Sequence, residues 1–395
     1  MWHTSWRPTP PPDPPDDMNT PITERFGIDH PVFAFSVHPP VVAEVSRAGG
    51  FGVLGALRFS PEELERELTW IDQHVDGKPY GLNVVMPASY VGAGEMDREA
   101  LAGRLRESIP EAHRRFVEEV LDRHGVPPLP PGEEPLEGLL GWTDATARPQ
   151  LEVAFSHPIK LLANALGPPP EDVIEQAHAR GIPVAALVGN PDQALKQVDA
   201  GVDILVAQGT EAAGHTGEIS TMVLVPDVVD AVRPRPVLAA GGIGTGRQVA
   251  AALALGAQGV WTGSIWLAAT EADLPDVVLD KLLAAGARDT VRTRAWTGKP
   301  ARLLRTAWTD AWDSPESPGT LPMPLQFLAT AEAMQRIFLS GNRDLAGMPV
   351  GQIVGRMKEP RPAGEILRSL VDEADEALAG LGSISQRPGT AAEER

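Results

Sequence analysis

Residues 207–217, AQGTEAAGHTG, place one histidine, His215, among glycines at the end of an apolar run. A neutral imidazole in such a loop can take up a proton or hydrogen-bond an anionic substrate near neutral pH. Glycine-rich turns follow two later apolar runs, GGIGTG at 241–246 and Gly263-Ser264. Glycine lets backbone N–H groups approach a phosphate, and the helix starting near Thr245 is expected to point its positive end there. The first turn is not GxGxxG, because Arg247 stands where the third glycine would be. It is not a P-loop either, because Gly-Lys-Ser/Thr is missing. Asn83 lies inside an otherwise apolar run, and Gln208 and Asn164 end two others. A buried amide must find a partner, so each could meet a polar ligand edge. Lys160 could form a Schiff base. Trp261 and Trp266 read as packing residues. No HExxH or EF-hand pattern occurs, and the nine histidines are scattered, so no metal is expected. Cysteine is absent, which excludes disulfides and thiolate chemistry.

The elements that must position these residues are legible as short apolar runs at 31–35, 51–56, 80–86, 159–163, 183–188, 203–207, 236–240 and 259–263. Most are apolar throughout rather than alternating, as parallel strands covered on both faces are. Helical patterns lie between them: Leu64, Leu68, Ile71 and Val75 share a face, as do Val173, Ile174 and Ala177, and Val249 and Leu253. Residues 183–209 and 236–263 repeat one grammar of Pro-Val, strand, glycine turn, helix, strand and glycine. Repeated βαβ units predict a (β/α)8 TIM barrel, with its site on the loops after the strands and phosphate held after the last two.

The expected organisation is a proline-rich disordered tail over 1–20, a barrel over 21–290, a C-terminal helical cap over 291–382 and a disordered end over 383–395. Residues 88–158 are too long for one crossover and read as a rim insertion, with one helix over 97–123. Ile366, Leu367, Leu370, Val371, Ala374 and Leu378 make an apolar helical stripe near the end. The net charge of −19, without a long Lys/Arg cluster, argues against nucleic acid and anionic lipid as partners. No run of eighteen apolar residues and no signal-peptide pattern occurs, which points to a cytoplasmic protein without a membrane span. The oligomeric state is left open.

The loop AQGTEAAGHTG together with PVLAAGGIGTGRQVAAALALGAQGVWTGS resembles the nitronate monooxygenase family, formerly called 2-nitropropane dioxygenases. RAGGFGVLGA, YGLNVVMP and TRAWTGKPAR extend the likeness over most of residues 28–360. The resemblance implies a TIM barrel holding non-covalent FMN. Gly241, Gly242, Gly263 and Ser264 match the family's phosphate positions. Asn83, Gln208, Ala213 and Gly214 match positions near the flavin ring and ribityl chain, and His215 matches the catalytic histidine. The implied reaction takes an alkyl nitronate and dioxygen to a carbonyl compound and nitrite. Similar proteins are NAD(P)H:quinone reductases or FMN-dependent enoyl thioester reductases. That is the main alternative, with a flavin-free phosphate-binding barrel lyase behind it. The loop FAFSVHPP departs from the family pattern: it is shorter, with Phe35-Ser36 where a Pro-Met pair is usual and His38 nearby.

Overall fold

The computed structural model describes residues 18–86, 98–133 and 143–385. The eight expected strands form one closed barrel. They are β1 (Val32–Ser36), β2 (Phe51–Gly55), β3 (Tyr80–Val85), β4 (Leu161–Ala165), β5 (Val184–Val188), β6 (Ile204–Gln208), β8 (Val237–Ala240) and β9 (Gly259–Thr262). Their order is β1-β2-β3-β4-β5-β6-β8-β9, and β1 pairs in parallel with both β2 and β9, which closes the ring. Alternate side chains point inward: Phe33, Phe51, Leu161, Ile204, Leu238 and Trp261 pack in one interior cluster. The other faces pack on the surrounding helices in a second, larger cluster. A strand buried on both faces reads as continuously apolar, which is why the runs identified these strands.

Outside the barrel, β7 (Gly214–His215), β10 (Thr290–Thr293) and β11 (Ala301–Leu304) form a small antiparallel sheet in the order β10-β11-β7. The register Ala301↔His215 and Arg302↔Gly214 fastens the histidine loop to the C-terminal segment. A two-residue strand has no periodicity to read, so its sequence looks like loop.

The C-terminal segment has more than one role. Its last helix, Ala363–Ser385, packs against the helices Gly246–Ala254 and Pro39–Arg47. It therefore fills the eighth position of the barrel wall, where sequence suggested only a cap. Leu367, Leu370, Val371 and Ala374 carry its buried stripe, and the helix runs on to Ser385, into the end read as disordered. The approach is close: a Cβ at Gly246 would lie 2.3 Å from both the Leu370 oxygen and the Ala374 nitrogen.

The single helix expected over 97–123 is two, Arg98–Glu107 and Glu111–Arg123, broken before Pro110. Proline drives the preceding residue out of helical geometry. The second of these helices packs with Leu325–Ser340 and with Trp308 and Trp312 in a separate hydrophobic cluster. Arg336, 5% exposed, joins the two segments: it donates to the Pro127 oxygen at 2.9 Å and to the Glu118 carboxylate at 2.9 and 3.0 Å. Order at the N-terminal side starts earlier than expected, since Met18 is buried and the Thr20 hydroxyl donates to the Gln258 oxygen at 2.7 Å. The rest of the expected tail, residues 1–17, lies outside the described residues, as do 386–395.

Candidate active site

The loop after β6 is fixed at several points. Thr210 N–H donates to the Ile219 oxygen at 2.8 Å, and Arg302 Nε donates to the Thr210 oxygen at 2.9 Å. Arg292 Nη2 donates to the Thr216 oxygen at 3.2 Å. Within this frame His215 Nε2 lies 2.7 Å from Thr297 Oγ1 in the β10–β11 loop. Among the described residues Nδ1 has no partner. Burial, and then the Lys299 ammonium, lower the His215 pKa to about 4, so the ring is neutral across the physiological range. Burial also lowers the Lys299 pKa.

The glycine turn after β8 is held from behind. The Glu211 carboxylate accepts Thr221 N–H at 3.2 and 3.0 Å and its hydroxyl at 3.0 Å, while that hydroxyl also lies 2.9 Å from the Gly241 oxygen. Gly241 and Gly242 have φ of +97° and +68°, and a Cβ on Gly241 would meet the Gly209 oxygen at 3.0 Å. Two successive residues at positive φ are open to glycine at no steric cost. Among the described residues, the N–H groups of Gly241, Gly242, Gly263 and Ser264 have no hydrogen-bond partner. The Ser264 hydroxyl accepts Gly351 N–H at 2.8 Å and keeps its own hydrogen to give. Four free donors on two adjacent turns make a cradle for an anion.

The following helix does not contribute its N-terminus, contrary to the expectation from sequence. Gly246 N–H donates to Glu373 at 2.8 Å, and Gly244 N–H to Gln248 at 2.9 Å. The side-chain bond from Arg247, with the Gly246 N–H, holds the Glu373 carboxyl below its usual range. A carboxylate on the eighth wall helix thus takes the place an anionic ligand would take.

Asn83 stands on β3 beside Gly55 and Ala163, 5% exposed, and its side chain has no hydrogen-bond partner among the described residues. An amide with no protein partner is free to meet the polar edge of a ligand. Gln208 donates to the Ala213 oxygen at a long 3.4 Å, leaving its oxygen free among the described residues. Ala213 and Gly214 are half-buried between Gln208 and His215, and a Cβ on Gly214 would meet nothing within 4 Å. Asn164, by contrast, is fully engaged with Met86 and Gly167, so it ties two strand ends together rather than meeting a ligand. Lys160 is exposed just before β4, at the end of the barrel opposite the site, and is no Schiff-base candidate. Among the described residues no group of three or more His, Cys, Asp or Glu could hold a metal, and no helix is long and apolar enough to cross a membrane.

Sequence reasoning missed Glu211, Thr221, Thr297 and Arg302. Thr297 and Arg302 reach the histidine loop from more than 80 residues away, while Glu211 and Thr221 pair across the loop itself, a contact its sequence pattern does not announce. The segment TGKP, residues 297–300, was visible only as part of a family likeness.

A half-buried neutral histidine and four unpartnered backbone N–H groups stand at the C-terminal mouth of a (β/α)8 barrel, the face where enzymes of this fold carry their sites. Comparison with known proteins narrows the class. The nitronate monooxygenase family description matches residues 19–373, and the chain belongs to that family. It is an oxidoreductase. A Mycobacterium tuberculosis protein provisionally named a monooxygenase is 51% identical over 94% of this chain and 100% of its own. A Staphylococcus aureus relative named "Probable nitronate monooxygenase" is 27% identical over 90% and 98%. Among solved structures, a nitroalkane oxidase from Streptomyces ansochromogenes has a TM-score of 0.76 at 26% identity, covering 91% of this chain and 99% of its own. FabK from Thermotoga maritima has a TM-score of 0.69 at 27% identity, covering 93% and 99%.

Proposed function

We propose that the protein is an FMN-dependent monooxygenase of alkyl nitronates, with His215 as the substrate-facing catalytic residue. The residues fit FMN: the four free N–H groups and the Ser264 hydroxyl suit its phosphate, and the unpaired Asn83 amide and Gln208 oxygen suit the polar edge of a flavin. The chemistry FMN supplies when bound is electron transfer from the nitronate and onward to dioxygen, giving a carbonyl compound and nitrite.

The state of His215 carries the choice of substrate. Lys299 N–H donates to Thr297 Oγ1 at 3.3 Å, so the hydroxyl hydrogen has two acceptors, His215 Nε2 at 2.7 Å and the Lys299 oxygen at 3.4 Å. In the tautomer we propose, the hydroxyl gives this hydrogen to Nε2 and the ring proton sits on Nδ1. His215 then offers an N–H donor on its open side, beside the Lys299 cation. That arrangement binds and orients an anion. A ring whose pKa is near 4 is a weak base for removing the α-proton of a neutral nitroalkane, whereas a nitronate arrives already ionised.

The likeness to FabK supports a second reading, an NAD(P)H-driven reductase of quinones or enoyl thioesters on the same flavin. Visible spectra taken anaerobically separate the two. A flavin spectrum altered by propionate-3-nitronate and inert to NADPH supports the nitronate reading; bleaching by NADPH alone moves the protein to the reductases. His215→Asn is expected to keep the flavin and lose nitronate turnover by about 100-fold or more. Full turnover in that variant would remove His215 from the reaction.

A further inference from the structure

A second concave site lies beside the Gly241–Gly242 turn. It encloses about 620 Å³, within the ~300–1,000 Å³ range of small-molecule sites. The groove shares Gly241 and Gly242 with the proposed flavin pocket, but Asn83, Gln208, His215, Gly263 and Ser264 do not line it. It runs along the helix Gly246–Ala254 from Gln248 to Leu255, roughly 10 Å at 1.5 Å per residue.

Its wall is apolar: Met222, Ala251, Leu255, Ala287 and Ile353 line it. Met222 is 64% exposed, an apolar side chain with little protein cover. Its sulfur is suited to the edge or face of an aromatic ring. Arg356 and Lys358 also line it. Arg356 acts on the Glu373 carboxylate only through its charge and has no hydrogen-bond partner among the described residues, and Lys358 has one long contact of 3.5 Å to the Ala285 oxygen. The carboxylate lining the groove, Glu211, spends both oxygens on Thr221. Two cations facing an apolar groove, in a chain of net charge −19, select a ligand with a flat apolar body and an anionic end.

We propose that this groove binds the adenosine-phosphate part of a nucleotide, its base against Met222, Leu255 and Ile353 and its phosphate at Arg356 and Lys358. Apart from Gly241 and Gly242, none of the groove's lining residues is assigned to the flavin pocket, so variants at Arg356, Lys358 and Ala287 test the site apart from the flavin reading.

Titration calorimetry of the purified, flavin-loaded protein with ADP, together with mass analysis of its acid-extracted cofactor, tests it. ADP binding that weakens at least tenfold in Arg356→Glu/Lys358→Glu and in Ala287→Trp, with flavin absorbance per chain unchanged, is the expected result and identifies a separate nucleotide. Extraction of flavin adenine dinucleotide from the wild type, but of FMN from Ala287→Trp, would also support the site and identify the adenylate as the flavin's own. Extracted FMN with no ADP binding at millimolar concentration overturns the proposal. So does ADP binding, or retention of flavin adenine dinucleotide, that is indifferent to both variants.

Discussion

At His215 the decisive quantity is the pKa. Burial and the Lys299 charge bring it from 6.5 to about 4. The imidazole therefore keeps one protonation state from pH 8 down to about 5. With a nitronate as substrate, kcat/KM is expected to show no inflection near 6.5 in that window. A descending limb centred between 6 and 7 and lost in His215→Asn would show that the ring titrates normally and that its environment is misread. Lys299→Met removes the second cause of the depression and is expected to move the ring's NMR titration upward, toward but not reaching 6.5, since burial remains. A titration that does not move would show that Lys299 does not act on the ring. The histidine itself was legible in the sequence because glycines flank it at a strand end. Its tie to Thr297, 82 residues away, was not, because the small sheet that brings the two together has a two-residue strand with no pattern to read.

Among the elements, the barrel strands were legible because double-sided burial writes a continuous apolar run, as in Leu161–Ala165 and Val184–Val188. The small sheet was not, because β7 has only two residues. The eighth wall helix was recognised as a helix from its stripe, but its place could not be, since it follows a hundred residues of other structure after β9. The turn between β8 and its helix is where local conformation limits function. In Gly241→Ala a Cβ would sit at positive φ, 3.0 Å from the Gly209 oxygen and from Thr221 Oγ1. The turn must shift, and its N–H groups with it. FMN retention after dialysis is expected to fall at least tenfold with far-UV circular dichroism unchanged; undiminished retention would place the phosphate elsewhere. A different element contact secures the insertion. Arg336→Ala leaves the Pro127 and Val126 oxygens without their donor and Glu118 without its partner. Loss of a buried charged partner typically costs about 3–5 kcal/mol, and the exposure of Glu118 puts this case at or below the lower end. A drop of several degrees in Tm is expected, and an unchanged Tm would show that the insertion is not held by this residue.

For the whole molecule, acidity acts in two opposing directions. The chain carries 53 acidic against 34 basic residues, so protonating carboxylates relieves repulsion, but at ordinary pKa values of ~4 this relief comes mostly below pH 5. Above that, buried histidines set the slope. His38 is 3% exposed, caps the helix Pro39–Arg47 and accepts Asp273 N–H on Nδ1 at 3.3 Å, while Nε2 is buried with no partner among the described residues. Burial, with the Arg58 charge second and Asp273 opposing, lowers its pKa to about 4. Above pH 6.5 the ring is neutral in both folded and unfolded chains and contributes no slope. Between 6.5 and 4 the unfolded chain takes up the proton and the folded one does not, so stability falls as pH falls. The loss is complete near 4 and reaches at most about 3 kcal/mol, from 1.36 kcal/mol per unit of pKa difference. His38→Asn keeps a residue suited to the N-cap and removes the titration. Its Tm at pH 7.5 is expected to be lower than the wild type's, because a buried ring is lost, but its decline between pH 6.5 and 4.5 is expected to be shallower. Parallel Tm curves for the two proteins across that window would show that His38 takes up its proton equally in both states, and hence that the ring is not shut away from water at the end of β1.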